Sequence, residues 1–323
     1  MKNTKYKKTI LVTGGAGFIG SNFLNTMVPR YPNYFFVNVD SLTYAANLKN
    51  VTVSDLPNYC FVQADIRDTE ALQKVFALHA PTDIIHFAAE SHVDNSIAGP
   101  QIFVETNILG THNLLNLARR YNIKRFHHIS TDEVYGSLVT SDTPVDETAP
   151  LQPNSPYSAS KTASDLLVRS YNKTYGLDTV ITRATNNYGP NQHLEKLIPR
   201  FVTNLLEGKK VPLYGSGRNV RDWIYVGDHV EGIDVVFHNG ESGNVYNIGG
   251  GVELENIEIV TKLLELVGVG DEMIEYVEDR PAHDFRYALN SGKITNELGW
   301  KPKMSLEKGL AQTFMFYKTK NDA

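Results

Sequence analysis

Residues 13–21, TGGAGFIGS, limit the fold of this chain more than any other feature. The run before them, TILVTG (9–14), is short, apolar and β-branched, the composition of a buried strand. The stretch after them, 19–29, has helical spacing. Gly14, Gly17 and Gly20 recur at every third position, and Gly15 adds a GxGxxG register. A strand that turns through glycines into a helix presents free N–H groups and the positive end of a helix dipole. Such a turn suits a phosphate. A glycine trio alone also fits a plain turn, so the flanking elements carry the reading.

The next two hundred residues repeat that rhythm. Strand candidates are 34–40, 59–65, 83–89, 125–130 and 178–185, and helical stretches are 69–79, 101–121 and 157–175. Strand–helix alternation implies a parallel sheet covered on both faces. The expected fold is α/β, a Rossmann-type doubly wound parallel sheet with a smaller, interleaved C-terminal domain. Residues 1–190 are assigned to the first domain and 191–323 mainly to the second, with segments near 222–250 returning to the first. Both WIYVGDHVEGIDVVFHN and VYNIGG are expected back at the main sheet. The Pro-, Ser- and Asp-rich segment 141–157 reads as an exposed loop.

Composition removes several function classes. The 323 residues carry a formal net charge of −5 and no basic stripe, which disfavours a nucleic-acid partner. Cys60 is the one cysteine, so no intrachain disulfide forms. The apolar run after MKNTKYKKT is too short for a signal-peptide core, and nothing approaches a membrane span. A soluble cytoplasmic protein is expected. Ten histidines show no metal-ligand spacing, so no metal site is expected.

The second strand ends in Asp40, at the distance where a carboxylate holds both hydroxyls of an adenosine ribose. It would repel a 2′-phosphate, which favours NAD over NADP. Asp65 ends the third strand within reach of an adenine amino group, and Ala88 and Ala89 end the fourth with little bulk.

Tyr157 and Lys161 in SPYSASK are i and i+4 on one helix face, and Thr131 lies just beyond the preceding strand. A tyrosinate in this position takes a proton from a sugar hydroxyl while the carbon gives hydride to NAD+. Phenol titrates near 10, so activity at neutral pH needs a drop of ~3 units, roughly 4 kcal/mol. One positive charge ~5 Å away at effective dielectric ~20 contributes about 3 kcal/mol, so Lys161 falls short alone and the cationic nicotinamide completes the shift. Asp132 and Glu133 then explain themselves. Oxidation makes a ketone, the neighbouring C–H becomes acidic, and a base and an acid together remove water. Adjacent carboxyls tend to hold one ionised and one neutral member. Glu133 is read as base and Asp132 as acid; spacing alone leaves the reverse open, as well as a turn-capping Asp132.

At these residues the chain resembles the extended short-chain dehydrogenase/reductase family, most closely its nucleotide-sugar 4,6-dehydratases. The likeness runs through TGGAGFIGS, DSLTYAANL, AAESHVDNSI, ETNILGT, HHISTDEVYG, SPYSASK, NNYGPNQHLEKLIP, VPLYGSGRNVRDWIYVGDH, YNIGG, DRPAHDFRYA and ELGWKP. It implies NAD-dependent dehydration of dTDP-glucose to the 4-keto-6-deoxy sugar, with hydride returned to C6. It also supports the acid and base assignment, since related epimerases carry a serine-rich segment in place of Thr-Asp-Glu. The resemblance implies an NAD site lined by Phe18, Ile19, Asp40, Ser41, Leu42, Thr43, Asp65, Ile66, Ala88, Ala89, Glu90, Ser91, Thr106, Tyr157, Lys161 and Asn187. It implies a sugar-nucleotide site lined by His92, Thr131, Asn186, Lys196, Leu197, Pro212, Leu213, Tyr214, Arg221, Asn256, Arg280 and His283. Arg221 suits a diphosphate and Tyr214 a stacked base. The chain departs from the family pattern at Asn95, Ala282 and Phe285.

The resemblance further implies a homodimer through helices 101–121 and 157–175; the apolar positions Leu114, Leu117, Ala118, Leu167 and Val168 permit that seam and equally suit packing on the sheet. Two other functions fit the same fold. An epimerase needs the tyrosine–lysine pair but no acid pair, and a non-catalytic NAD-sensing module needs neither.

Overall fold

The computed structural model describes residues 6–279 and 283–321. The first part of the chain runs β1 (Lys8–Thr13), α1 (Phe18–Arg30), β2 (Tyr34–Asp40), β3 (Tyr59–Gln63), α2 (Thr69–His79) and β4 (Asp83–His86). It continues through α3 (Val93–Ala98), α4 (Gln101–Phe103), α5 (Thr111–Arg120), β5 (Arg125–Thr131), α6 (Pro156–Tyr175) and β6 (Thr179–Ala184). The remainder is β7 (Asn186–Tyr188), α7 (Leu197–Leu206), β8 (Val211–Tyr214), β9 (Val220–Tyr225), α8 (Val226–Asn239), β10 (Val245–Ile248) and β11 (Glu253–Glu255). It closes with α9 (Asn256–Val267), β12 (Ile274–Val277), α10 (Gly292–Leu298) and α11 (Leu306–Asn321).

Seven parallel strands form the main sheet in the order β10-β6-β5-β4-β1-β2-β3. The chain builds outwards from β1 through β2 to β3, then crosses back to β4. The switch point therefore lies between β1 and β4, where such sheets open a crevice at the strand carboxyl ends. Apolar residues cover both faces. Leu72, Phe76, Leu114, Leu117 and Val168 fill one side, and Phe23, Met27, Val230, Ile233 and Phe237 fill the other. Strand β9 does not return to the main sheet, as the apolar run WIYV had promised. It pairs with β7 and β11 in a second sheet; β10 comes back as a strand and α8 comes back as a helix on one face of the main sheet. A third, two-stranded sheet joins β8 and β12.

The stretch expected as one helix over 101–121 is broken by a π-helical segment, Val104–Gly110. Asn107 explains the break. Its side chain exchanges hydrogen bonds with the Glu90 backbone and donates to Ser160 Oγ at 2.8 Å. Its carbonyl accepts from Ser164 and Thr111, both at 2.6 Å. A widened turn releases that carbonyl from the regular ladder. Helix α6 begins more simply, with Pro156 at its first position and Ser155 and Ser158 capping each other reciprocally.

Among the described residues, no helix is long and apolar enough to cross a membrane, and no cluster of His, Cys, Asp or Glu is arranged to hold a metal ion.

Candidate active site

The glycine turn needs glycine for two separate reasons. Gly14 has φ +72°, and a Cβ there would meet Ala88 N at 2.6 Å. A Cβ on Gly20 would collide with the Gly14 carbonyl oxygen. The turn is thus pressed against the strand across the switch point, and α1 opens beside it without a side-chain cap. These features leave a cavity of about 480 Å³ along the carboxyl ends of β1, β2, β4 and β5.

Most of the expected cofactor residues line that cavity. Gly14, Gly17, Phe18, Ile19 and Gly20 supply one wall. Asp40, Ser41, Thr43, Asp65 and Ile66 supply the end beyond β2 and β3. Ala88, Ala89, Glu90, Ser91 and Thr106 form the far side, and Tyr157 and Lys161 close it. Asp40 is buried, accepting N–H bonds from Ala16 at 3.0 Å and Leu42 at 2.8 Å. Burial pushes its carboxyl up, and those two N–H groups pull against the rise. A dinucleotide therefore fits the donor set: a glycine cradle, an uncapped helix start and a ribose-holding carboxylate.

Two expected lining residues are elsewhere. Leu42 takes a left-handed backbone (φ +59°) to bring its N–H to Asp40, so it shapes the loop and lies outside the lining. Asn187 is turned inwards, donating to the Thr185 carbonyl and meeting His229 Nδ1 at 2.8 Å. Asp65 lines the cavity from a turn after β3, where Arg67 grips its carboxylate and holds it below the usual range. Residues unforeseen from the sequence also line the cavity, notably Tyr44, Arg67, Gln192, His193 and Glu195.

Thr131 ends β5, and Asp132–Tyr135 form one 3-10 turn directly after it. The Thr131 hydroxyl donates to Asp132 Oδ1 at 3.2 Å and accepts from the Glu133 N–H at 3.3 Å. Asp132 is buried. That burial, with the Glu133 and Asp222 charges, pushes its carboxyl well above the usual range. The shift favours the protonated carboxyl, the form that proton donation requires.

Tyr157 and Lys161 occupy successive turns of α6, both buried. Burial and the Glu133 charge raise the Tyr157 phenol, outweighing the Thr131 hydroxyl, which favours its ionised form. Burial brings Lys161 down to about 8, against the pull of Asp165. The lysine by itself does not make a phenolate here, so the shift rests on the cofactor's positive charge more heavily than spacing suggested. Tyr287 was not singled out from the sequence. It is buried close enough for the Glu133 charge to raise its phenol, and its hydroxyl bonds Asp284.

The expected sugar-nucleotide residues are more scattered. Of these, Lys196 lines the cavity, with Nζ donating to the Ser91 carbonyl at 3.0 Å. His92 caps α3 and Leu197 opens α7. Asn186 lies on β7. Strand alternation corrects one assignment: in β8 Leu213 points into the core, while Pro212 and Tyr214 take the opposite face. The Tyr214 hydroxyl reaches Asp94 at 3.5 Å, and its ring meets His283 edge-on. Asn256 is buried at the start of α9 with its Oδ1 lacking a protein partner. Arg221 is turned inwards. It donates to the carbonyls of Val220, Asp284 and Phe285 and stacks over Tyr287 at 4.5 Å. Arg280 and Ala282 lie outside the described residues. Asn95 reaches the Tyr44 hydroxyl at 3.4 Å, and Phe285 is exposed.

A family model described as GDP-mannose 4,6 dehydratase matches residues 11–313. The dTDP-glucose 4,6-dehydratase of Shigella flexneri is 47% identical, over 95% of this chain and 92% of that protein. The solved dTDP-glucose 4,6-dehydratase of Streptomyces venezuelae, with NAD bound, superposes with a TM-score of 0.94 at 49% identity, over 97% of this chain and 98% of that one. The UDP-glucose 4-epimerase of Thermotoga maritima matches the backbone nearly as well, at a TM-score of 0.90 over 97% of this chain and 99% of that one, but with 32% identity. Backbone similarity alone does not separate the two chemistries, whereas sequence identity favours the dehydratases. The chain belongs to the GDP-mannose 4,6 dehydratase family and stands within it beside the dTDP-glucose 4,6-dehydratases.

Proposed function

We propose that this chain dehydrates dTDP-glucose to dTDP-4-keto-6-deoxyglucose. The observation that carries the reading is Asp132, buried beside Glu133 in the turn that follows Thr131, in a setting that favours its protonated form. Bound NAD+ supplies a hydride acceptor and a positive charge over this end of the cavity. Tyr157, steadied by Thr131, takes the proton from the C4 hydroxyl as hydride leaves C4. The new carbonyl acidifies the C5–H, which Glu133 removes. Asp132 donates its proton to the departing C6 hydroxyl, so one water leaves. With hydride returned to C6, Glu133 would give its proton back to C5, so that no net reduced cofactor would be released. An epimerase has no use for a buried acid favoured in its protonated form in this place. Incubation with dTDP-glucose tests the reading: a 4-keto product lighter by one water, without net NADH, is expected, and a 4-epimer would overturn it.

We read β7, β8, β9 and β11 with α7 and α9 as the half that receives the sugar nucleotide, with Tyr214, Asn256 and His283 toward it. We place the protein in the cytoplasm, where one cysteine and a nucleotide-sugar substrate fit. We also propose a homodimer. Leu114, Leu117, Ala118 and Val168 pack in the chain's own core and are not available to a partner. The exposed apolar residues are instead Val104, Leu109 and Leu166, on segments of the same helical layer that pack together. A second copy burying this face would be lost on Leu166→Glu, which sedimentation should show as a monomer. An unchanged dimer would sink the assignment.

A further inference from the structure

We propose that Arg183 is a positioning residue for both halves of the reaction, joining the helix of Tyr157 and Lys161 to the turn of Asp132 and Glu133. The inference rests on the dehydratase reading above. Arg183 stands on β6, almost fully buried. Its Nε donates to Asp165 Oδ2 at 2.9 Å. Asp165 lies on α6, four residues past Lys161 and eight past Tyr157, so all three share one helix face. Its other oxygen lies 3.4 Å from His128 Nε2 on β5. In the other direction, Arg183 Nη1 donates to the Tyr135 hydroxyl at 2.7 Å. Tyr135 is the last residue of the turn that begins with Asp132 and Glu133. That hydroxyl donates in turn to Asn247 Oδ1 on β10 at 2.8 Å, and the guanidinium lies 4.8 Å from the Tyr135 ring.

A single planar cation thus bridges two catalytic segments, a geometry a lysine cannot reproduce. The turn itself is short. Thr131 holds its start, the Gln152 N–H bonds the Val134 carbonyl at 3.0 Å, Tyr135 also bonds Asn247, and Val134 and Tyr135 pack on Leu289; the Arg183 bond is the one that ties its far end to α6. The charge is not idle elsewhere: burial costs Arg183 some basicity, and Asp165 and Tyr135 together more than restore it. Asp165 in turn is forced up by burial but brought down to about 2 by His128 and Arg183. The pair therefore stays ionised, and the positions of α6 and of the acid–base turn are referred to the same fixed point.

Tyr135→Phe removes one hydroxyl, with its bonds to Arg183 and Asn247, and leaves the Asp165 side of the bridge. In single turnovers with NAD+ and dTDP-glucose, reduced cofactor should form within about twofold of the wild-type rate. Product formation should fall on the order of ten- to a hundredfold, so reduced cofactor accumulates. Asp165→Asn should instead slow the formation of reduced cofactor itself. Asn247→Ala, which keeps the Arg183–Tyr135 bond, should leave both steps within about twofold of wild type. In the cofactor-free protein, Tyr135→Phe should speed amide hydrogen exchange in residues 132–136 and leave α6 protected. In Tyr135→Phe, product formation within about twofold of wild type, equal slowing of both steps, or unchanged exchange in 132–136 would overturn the proposal. If the wild-type chain forms no 4-keto product, the dehydratase reading falls first, and the exchange measurement alone decides the bridge.

Discussion

Lys161 Nζ donates to the Ile129 carbonyl at 2.8 Å, fastening the helix lysine to the strand that ends in Thr131. The bond orders the base of the site, yet it holds a cation that burial has brought down to about 8.

Lys161→Met should abolish turnover but raise stability at neutral pH. Below about pH 8 the lysine is charged in both folded and unfolded chains, and folding bears the full cost of burying it. Between there and its ordinary value near 10.5 the unfolded chain holds more protons, so wild-type stability climbs with pH. The Met variant should melt roughly 2 °C or more higher at pH 7, with the gain shrinking through that window. A lower Tm at pH 7 contradicts the assignment.

Glu133→Gln removes the base while leaving Tyr157, Thr131 and Lys161 in place. Elimination should drop by ~10²-fold or more. Reduced cofactor should still appear on adding dTDP-glucose, visible as NADH absorbance. Normal elimination in this variant would assign the base elsewhere.

Asp132→Asn replaces a carboxyl that burial pushes toward its protonated form. At pH 7 the wild type therefore takes up a proton on folding that the amide does not need, and the variant should melt higher there, with the gain shrinking as pH falls toward the ordinary carboxylate range. The amide has no proton of useful acidity to give the leaving hydroxyl. Product formation should fall by ~10²-fold, and calorimetry beside a product assay checks both halves. A large loss of Tm would mean that the residue is ionised in the folded chain.

Asp40→Asn should weaken NAD about tenfold, the loss of one charge-assisted hydrogen bond worth ~1.5 kcal/mol. NADP should weaken less, because the repulsion of a 2′-phosphate is relieved. Fluorescence titration of both cofactors gives the ratio, and an unchanged ratio would remove Asp40 from ribose recognition.

The sheet was legible because its signals are local. Alternating apolar runs, the glycine turn and the helix-spaced tyrosine and lysine each sit within a few residues. The departures came where distant partners decide. The π-helical segment answers Asn107, whose partners are Glu90, Ser160 and Ser164. The inward turn of Arg221 answers carbonyls at 284 and 285. Asn187 follows His229 away from the cavity. Leu213 was misread for a simpler reason, since a run of three residues on a strand cannot all face one ligand. The direction of the Tyr157 shift depended on burial and on the Glu133 charge, and a one-dimensional spacing carries neither.

Strand β10 pairs with β6 at the border of the main sheet, although some sixty residues of other structure separate them in the chain. During synthesis, β6 must wait for residues 245–248 to leave the ribosome before its outer edge gains a neighbour. The nucleotide-holding half is therefore begun first but completed late. A nascent chain halted near residue 190 would present an open border of peptide groups, a natural point of engagement for a chaperone.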